Sequence, residues 1–218
     1  GIESILGSDG ADVFTGDSTA NIFEGGLGND TLFGGAGHDT LKGDDGSNFY
    51  NGGEGVDTYE IKTTGNSFDT ISFEGGNGAN VNLKTSDIFD DGYGNTENLN
   101  GGKFVLGLIG TDGNDTFVGS DLNNTFDTGM GTDTMTGGVG DDVFIYEQGD
   151  GTNVIMDFEA LNDNEKIDLS DPALGFNDIS DLTITQVGAN VDIQFALGQG
   201  IQLIGVNAGD LDNNDFIF

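Results

Sequence analysis

The chain has 218 residues, with 39 acidic residues against 5 basic ones and a formal net charge of −34. Such an acidic chain repels the phosphates of nucleic acids and anionic lipids, so the charge disfavours both as partners. The absence of cysteine excludes disulfides and thiolate metal sites. The sequence also lacks an apolar stretch of about 18 residues, so it predicts no membrane-spanning helix.

The composition approaches that of a disordered chain, because only 34% of the residues are hydrophobic and 40 are glycine. The apolar residues recur periodically, however, which argues against permanent disorder. A bound cation would relieve the charge repulsion that opposes compaction. The N-terminal residues contain no basic region followed by an apolar one, so the sequence predicts no conventional secretory signal there.

Two blocks of nine-residue repeats dominate the sequence. Six consecutive nonamers run from Gly7 to Glu60, and four more run from Gly110 to Ile145. Each resembles the pattern G-G-x-G-x-D-x-U-x, in which U is apolar, and the copies that begin at Gly25, Gly34 and Gly137 match at every position. The chain therefore resembles the RTX proteins, whose repeats of this form bind calcium in a β-helix. The resemblance implies an all-β fold, a right-handed parallel β-roll, with several bound Ca²⁺ ions.

In each repeat the first six residues predict a turn and the last three a short strand. Two nonamers complete one coil, so that repeats n and n+2 stack. The eighth residue of each repeat is predicted to point inward, and these residues are Phe14, Phe23, Leu32, Leu41, Tyr50, Tyr59, Phe117, Phe126, Met135 and Phe144.

The sixth residues of stacked repeats are the candidate metal ligands, because Ca²⁺ prefers carboxylate and carbonyl oxygens. They form one column of Asp12, Asp30 and Asn48, a second of Asn21, Asp39 and Asp57, and the pairs Asp115 with Asp133 and Asn124 with Asp142. The RTX resemblance implies that turn carbonyls join them, with Gly28, Gly37, Gly55 and Gly140 as candidates. Asparagine offers a carbonyl oxygen but no charge, so the sites that contain it are expected to bind calcium more weakly. Asp39 is expected to serve two sites and Asp142 mainly one.

The periodicity fails between Ile61 and Ile109, although alternation predicts strands at Thr70–Phe73 and Val81–Leu83. Similar stretches in RTX proteins imply wider, irregular coils of the same solenoid; a separate inserted unit is the alternative. The acidic loop Asp87–Tyr93 is interpreted as a solvated loop, with an extra cation or ligand site as the alternative. His38, in a variable repeat position, is expected to lie on the surface without a ligand role.

After Ile145 the phase slips, and a degenerate repeat at Gln148 places Asn153 in its sixth position. Asp157-Phe158 and the run Lys166–Ser170 resemble the segment that follows RTX repeats in serralysin-type proteases and alginate epimerase modules. Alternation predicts three further strands, at Leu182–Thr185, Val191–Phe195 and Ile201–Ile204. The end of the chain, Asp215–Phe218, resembles the export signal of type I secretion substrates, although a final strand also favours such residues.

These patterns predict four segments: a first RTX block (1–60), irregular coils (61–109), a second RTX block (110–156) and a β-rich C-terminal cap with the secretion signal (157–218). The sequence contains no H-E-x-x-H motif, one histidine and no cysteine, so no enzymatic activity is expected within these residues. The expected function is a calcium-binding module that folds on Ca²⁺ outside the cell and supports secretion and stability of a larger exported protein.

A distal binding module of a surface adhesin or surface-layer protein is the alternative function. The expected partners are the type I secretion machinery during export and a glycan or another cell-surface ligand. The expected location is extracellular or on the bacterial cell surface.

Overall fold

A computed structural model of the chain describes residues 3–62, 67–161, 164–196 and 198–218. The described residues form two long β-sheets and four short 3-10 helices, Gly102–Phe104, Ile179–Asp181, Ala208–Asp210 and Asn213–Asp215. The strands are β1 (Ser4–Leu6), β2 (Val13–Thr15), β3 (Ile22–Leu27), β4 (Thr31–Ala36), β5 (Thr40–Asp45), β6 (Phe49–Glu54), β7 (Thr58–Glu60), β8 (Asp69–Ser72), β9 (Ala79–Asn82), β10 (Asp87–Asp91), β11 (Glu97–Asn100), β12 (Val105–Ile109), β13 (Thr116–Val118), β14 (Thr125–Asp127), β15 (Thr134–Thr136), β16 (Val143–Ile145), β17 (Thr152–Ile155), β18 (Lys166–Asp168), β19 (Thr183–Val187), β20 (Asn190–Ala196), β21 (Gln199–Leu203) and β22 (Phe216–Ile217).

In the repeat blocks, successive strands belong alternately to the two sheets, because each coil contributes one strand to each sheet. One sheet has 13 strands in the order β1-β3-β5-β7-β11-β10-β9-β13-β15-β17-β21-β20-β19, and the other has nine in the order β2-β4-β6-β8-β12-β14-β16-β18-β22. Among the nonamers of Gly7–Glu60, and among those of Gly110–Ile145, every pairing is parallel and joins residues 18 positions apart, such as Phe23 with Leu41 and Phe126 with Phe144. The fold is therefore a parallel β-roll solenoid, as the repeats predict.

The strands of the first block are longer than predicted. Strands β3 to β6 have six residues each and extend through the first three positions of the next repeat. The extension arises because those positions also bond to the neighbouring coil: the Leu27 amide donates to the Ser8 carbonyl (3.2 Å) and the Ala36 amide to the Asp17 carbonyl (2.9 Å).

The core is a stack of the inward eighth residues. Nine of the ten predicted residues are at most 1% exposed, and Phe14 in the first coil is partly buried. Successive rings pack at a tilt, with centroids 6.0 Å apart for Phe117 and Phe126 and 5.8 Å apart for Phe126 and Phe144. Each coil thus buries its apolar residue against the coils on either side, which explains why such repeats fold only in stacks.

The central segment is built into the solenoid. Strands β8 and β12 continue the nine-stranded sheet, while β9, β10 and β11 form an antiparallel meander inside the 13-stranded sheet. The meander is joined in parallel to β7 through β11 and to β13 through β9. The antiparallel pairing is a feature that the repeat pattern does not predict, because the pattern stops at Glu60.

The C-terminal segment closes both sheets. Strand β21 runs parallel to β17 and begins an antiparallel meander with β20 and β19, at the positions predicted from alternation. The last strand, β22, pairs with β18. Within the ranges that the structure describes, no helix is long and apolar enough to cross a membrane.

Candidate metal centre

The sixth residues stack in the predicted columns through one repeated hydrogen bond. The backbone amide of each sixth residue donates to Oδ1 of the sixth residue one coil later. In the first block this bond measures 2.9 Å from Asp12 to Asp30, 2.7 Å from Asn21 to Asp39, 2.9 Å from Asp30 to Asn48 and 2.7 Å from Asp39 to Asp57. In the second block it measures 2.8 Å from Asp115 to Asp133 and 2.7 Å from Asn124 to Asp142.

The second oxygen of these carboxylates is the feature that points to a cation. Five of the oxygens are buried without a hydrogen-bond partner: Oδ2 of Asp30, Asp39, Asp57, Asp133 and Asp142. Buried polar atoms are nearly always paired, and an unpaired charged oxygen is costly. A calcium ion, which accepts six to eight oxygen ligands, would remove that cost.

Nine of the ten nonamers begin with glycine, which makes room for this oxygen, and the nonamer of Asp133 begins with Thr128 instead. A Cβ atom would lie 2.1 Å from Oδ2 of Asp30 if added at Gly25, and 2.2 Å from Oδ2 of Asp57 if added at Gly52. A side chain at Gly25 or Gly52 would therefore displace the carboxylate, which gives a physical reason for glycine at these two positions.

Six of the eight fourth-position glycines, including the four predicted carbonyl donors, adopt left-handed backbone angles, whereas Gly10 and Gly113 do not. The φ values are +118° at Gly28, +127° at Gly37, +133° at Gly55 and +141° at Gly140. A Cβ on Gly55 would lie only 1.5 Å from the Gly37 carbonyl oxygen. The glycine turns of adjacent coils are therefore in direct backbone contact, an approach that only glycine permits.

Burial makes the column carboxylates weak acids. It raises the pKa of Asp57 and of Asp142 to about 6 and that of Asp133 to about 7, each against backbone hydrogen bonds that favour the charged form. The pKa values of Asp30 and Asp39 are raised for the same reason. A bound divalent ion would reverse this balance by stabilising the ionised form.

Both columns continue beyond the nonamers, through residues that the repeat pattern misses. Asp69 accepts from the Asn48 amide at 2.8 Å, and Glu97 accepts from the Asp57 amide. Asp69 Oδ2 and Glu97 Oε1 are also buried and unpaired. The sequence contains a signal for both residues. Asp69 directly precedes Thr70-Ile71, just as the sixth residue of a nonamer precedes its strand. Glu97 holds the sixth position of a degenerate nonamer, Gly92–Asn100.

The second block continues in the same way into the C-terminal segment. The Asp133 amide donates to Oδ1 of Asn153 at 3.1 Å, across 20 residues because of the phase slip. Beyond Asp142 the buried Glu165 follows, since the Lys166 amide donates to the Asp142 carbonyl at 2.8 Å. Asp142 therefore has a neighbour on each side, Asn124 and Glu165, and the repeat pattern does not predict the second of them.

Two other candidate features lie outside the columns. His38 is exposed, and its Nδ1 accepts from the Val56 amide at 2.8 Å. In the loop Asp87–Tyr93, Phe89 is exposed but Asp91 is only 3% exposed. Asp91 accepts from the amides of Tyr93 and Asn95 at 2.8 and 3.0 Å. Residues Asp87–Asp91 form strand β10, so the interpretation of Asp87–Tyr93 as a solvated loop is wrong.

Acidic side chains alone do not complete a site. Across residues 3–62, 67–161, 164–196 and 198–218, no three acidic or histidine side chains group closely enough to hold a metal ion by themselves. The columns instead supply carboxylates in stacked pairs, beside closely packed backbone turns. This donor set of carboxylates and carbonyls suits Ca²⁺.

Comparison with known proteins agrees with this donor set. The family model described as the RTX calcium-binding nonapeptide repeat (4 copies) matches residues 1–32, 24–59 and 109–144. None of the curated proteins is similar enough in sequence to match the chain. Among solved structures, the extracellular lipase LipA from Serratia marcescens is similar over 100% of this chain, with 19% identity and a TM-score of 0.46. The chain spans 40% of the length of that lipase chain. Residues 1–59 and 109–144 therefore carry repeats of the RTX calcium-binding nonapeptide type, and these repeats bind Ca²⁺.

Proposed function

We propose that the chain is a calcium-triggered folding module that supports the secretion and stability of a larger exported protein. The observation that carries this proposal is the set of stacked carboxylates in which one oxygen is buried and unpaired, those of Asp30, Asp39, Asp57, Asp133 and Asp142. Without a cation this arrangement buries charge at high cost. With calcium, the binding free energy becomes folding free energy.

The proposed ligands are the sixth residues and the turn carbonyls. The side chains are Asp12, Asn21, Asp30, Asp39, Asn48, Asp57, Asp115, Asn124, Asp133 and Asp142, and the carbonyls are those of Gly28, Gly37, Gly55 and Gly140. Asp69 and Glu165 extend this set because they occupy sixth positions in the same columns.

The export step follows from the net charge of −34 and the scarcity of free calcium in the cytosol. A chain with this charge and without its cation would stay extended and able to thread a type I secretion channel. Outside the cell, calcium would neutralise the columns and close the coils. We assign Asp215–Phe218 to the export signal, and β22 gives the same residues a second role, because it closes the nine-stranded sheet against β18 after export.

Far-ultraviolet circular dichroism of the chelator-treated chain tests the folding step. We expect a cooperative rise in β signal on addition of calcium and little change with magnesium, which demands a smaller, octahedral site. A chain equally folded in chelator would show that the carboxylates need no metal. The export step is tested by secretion of a reporter fused to this chain, with and without residues 209–218.

A second candidate function, a binding module of a surface adhesin, draws on the outer face of the nine-stranded sheet. A groove there is lined by Phe68, Leu106, Val143 and Ile145, and Phe68 is 62% exposed. Exposed apolar surface of this kind is typical of interaction sites. Calcium-dependent binding to a panel of neutral and anionic glycans, lost when Phe68 is replaced by Ser, would favour this function.

A further inference from the structure

An apolar stripe runs over the outer face of the nine-stranded sheet. Along the strands of this face, buried inward side chains alternate with outward ones that are partly or fully exposed. The rings of Phe33 and Phe49, on adjacent strands, pack with their centroids 5.8 Å apart. The outward apolar residues, which we call the outer stripe, are Phe33, Phe49, Phe68, Leu106, Ile109, Val143 and Ile145. The outer stripe thus crosses the strands of this sheet from β4 to β16.

The outer face of the 13-stranded sheet has a different character. In β5, β7, β11, β13 and β15 the outward residues are polar, with Val118 as the exception; they are Thr40, Lys42, Thr58, Glu60, Asn98, Asn100, Thr116, Thr134 and Thr136. A single exposed apolar residue, such as Phe89 in β10, is normal on a protein surface. A group of them on one of two otherwise equivalent faces indicates an interaction surface.

The middle of the outer stripe is a groove of about 510 Å³. Its floor is low because Thr70, Gly107 and Thr125 lie side by side on three neighbouring strands. A Cβ at Gly107 would lie 2.5 Å from Thr70 Oγ1, so the floor has no room for a larger residue there. The large apolar residues that line the groove include Phe68, Leu106, Val143 and Ile145. The groove therefore follows from the small residues that the sequence places in its floor.

The amides that line the groove are already engaged within the fold. Asn124 Oδ1 accepts from the Ser120 amide at 2.7 Å, and its Nδ2 donates to the Val105 carbonyl at 3.1 Å. Asn123 Oδ1 accepts from the Asp141 amide at 2.9 Å, and its Nδ2 lies 3.4 Å from Asp141 Oδ2. A sugar, whose hydroxyls need partners when they are buried, would find mainly the hydroxyls of the two floor threonines. The lining therefore favours an apolar ligand over a sugar.

The charges of the groove select among apolar ligands. Two carboxylates, Asp127 and Asp141, line it without a lysine beside them, and neither joins a salt bridge in the part of the chain that the structure describes. Burial raises the pKa of Asp127, so a cationic partner would stabilise its ionised form. A second copy of this chain would bring the same carboxylates and a net charge of −34 to the face, which opposes self-association.

We propose that the outer stripe binds a cationic amphipathic helix, whose apolar face covers the groove and whose lysine or arginine side chains pair with Asp127 and Asp141. Strands β4 to β16 of this sheet, spaced about 4.8 Å apart, extend over roughly 24 Å. A helix of about 16 residues has the same length and can lie across the strands with one apolar face down. This inference rests on the second candidate function, the binding module, and names its partner; it does not depend on the export role.

The test measures the binding of two synthetic peptides to the whole chain in calcium by isothermal titration calorimetry. Both peptides contain the same leucine and lysine residues, about 16 in all. In one peptide the leucines share a single helical face, and in the other they are distributed around the helix. Because the two peptides carry the same charge, general attraction to the acidic chain is equal for both. We expect the first peptide to bind at least about tenfold more tightly, since only its leucines can cover the groove together.

Phe68→Ser and Phe89→Ser form a matched pair of variants. Both remove an exposed phenylalanine, 62% exposed at position 68 and 54% at position 89, but Phe89 belongs to β10 in the other sheet. We expect Phe68→Ser to weaken binding of the amphipathic peptide by about tenfold or more, which is the effect of leaving one large apolar side chain out of the contact. Phe89→Ser should weaken it by less than about twofold. Circular dichroism in calcium verifies that both variants fold.

Equal binding of the two peptides, or equal binding by the two variants, would overturn the proposed docking site and leave charge as the only attraction. Binding of a neutral glycan that Phe68→Ser abolishes, without a preference between the peptides, would assign the groove to a sugar instead. Self-association that Phe68→Ser abolishes would assign it to a second copy of the chain. Each of these results leaves calcium-dependent folding intact. A chain that shows no calcium-dependent folding by circular dichroism would instead contradict the proposed folding function, whatever the peptides do.

Discussion

The backbone amide of Asn124 donates a 2.7 Å hydrogen bond to Oδ1 of Asp142, while Oδ2 of the same carboxylate is buried without a partner. One oxygen therefore serves the stacking of the coils, and the other is free for a cation. Because the same division recurs along both columns, stacking and calcium binding use the same side chain and should be strongly coupled.

Asp142→Asn separates these two roles. The amide oxygen of Asn can still accept from the Asn124 amide, so the stacking bond survives, but the charge is lost. We expect the calcium midpoint for folding to rise by on the order of tenfold. We also expect the number of ions lost in native mass spectrometry to equal that of Asp39→Asn, because both residues have a neighbour on each side.

The control is Asp141→Asn, one residue away, which removes the same charge from an exposed position. Its calcium midpoint should stay close to that of the wild-type chain. If Asp141→Asn and Asp142→Asn titrate alike, net charge and not the column governs calcium binding.

Much of this architecture could be predicted from the sequence because the repeat encodes it locally. The inward residues, the two columns and the strands at Thr70–Phe73 and Val81–Leu83 depend only on spacing and alternation, and the structure places them accordingly. The meander β9-β10-β11 is not predicted, because the acidic residues of β10 favour a loop and because β11 joins β7 through residues 40 positions apart along the chain. Glu97 and Glu165 were missed for a related reason: their columns continue across a changed spacing.

Gly55→Ala should prevent or severely weaken folding. A Cβ there would lie 1.5 Å from the Gly37 carbonyl oxygen, and the residue has a φ of +133°. Left-handed backbone alone costs a non-glycine residue about 1–3 kcal/mol, before the clash is counted. Thermal unfolding in saturating calcium measures the loss.

Gly10→Ala is the matched control, because Gly10 occupies the same repeat position in the first coil. The nearest atom to its added Cβ would be Ser8 Oγ at 3.9 Å. We expect no loss of stability in this variant. Equal destabilisation of both variants would show that neither the left-handed backbone nor the close approach of the coils explains the glycine at this position, because Gly10 has neither.

Adding a charge to a column should strengthen calcium binding where the asparagine donates no short hydrogen bond to a buried carbonyl. Asn48 lies between Asp30 and Asp69, and its Nδ2 lies 3.4 Å from the Gly46 carbonyl and 3.5 Å from that of Asp44. Its side chain also interacts with Asp69 and Tyr50. We expect Asn48→Asp to lower the calcium midpoint several-fold, since affinity rises with the number of charged ligands.

Asn124→Asp should have the opposite effect. Asn124 Nδ2 donates to the Val105 carbonyl at 3.1 Å in a buried position. An ionised carboxylate at position 124 has no proton to donate to the Val105 carbonyl. The loss of this buried hydrogen bond costs about 1–3 kcal/mol. The calcium midpoints of the two variants should therefore shift in opposite directions. Shifts in the same direction would mean that charge alone sets the affinity for calcium.

The pH dependence of folding should have opposite directions in chelator and in calcium. Burial raises the pKa of Asp57 and Asp69 to about 6 and that of Asp133 to about 7, above the value of about 3.9 for Asp in an unfolded chain. A raised pKa in the folded state favours folding below the unfolded value, and this stability is lost as the pH rises through the folded values. In chelator, we therefore expect β structure near pH 4 and its loss by about pH 7.

In calcium the competition runs the other way, because protons must leave the carboxylates before the ion binds. The calcium midpoint should rise steadily as the pH falls from about 7 to 5. Circular dichroism at each pH, with and without calcium, measures both trends. A sample at pH 7.5 in chelator and about 1 M NaCl separates protonation from simple charge screening. If salt alone restores the β signal as fully as acid does, repulsion between surface charges opposes folding, and the buried carboxylates are not the cause.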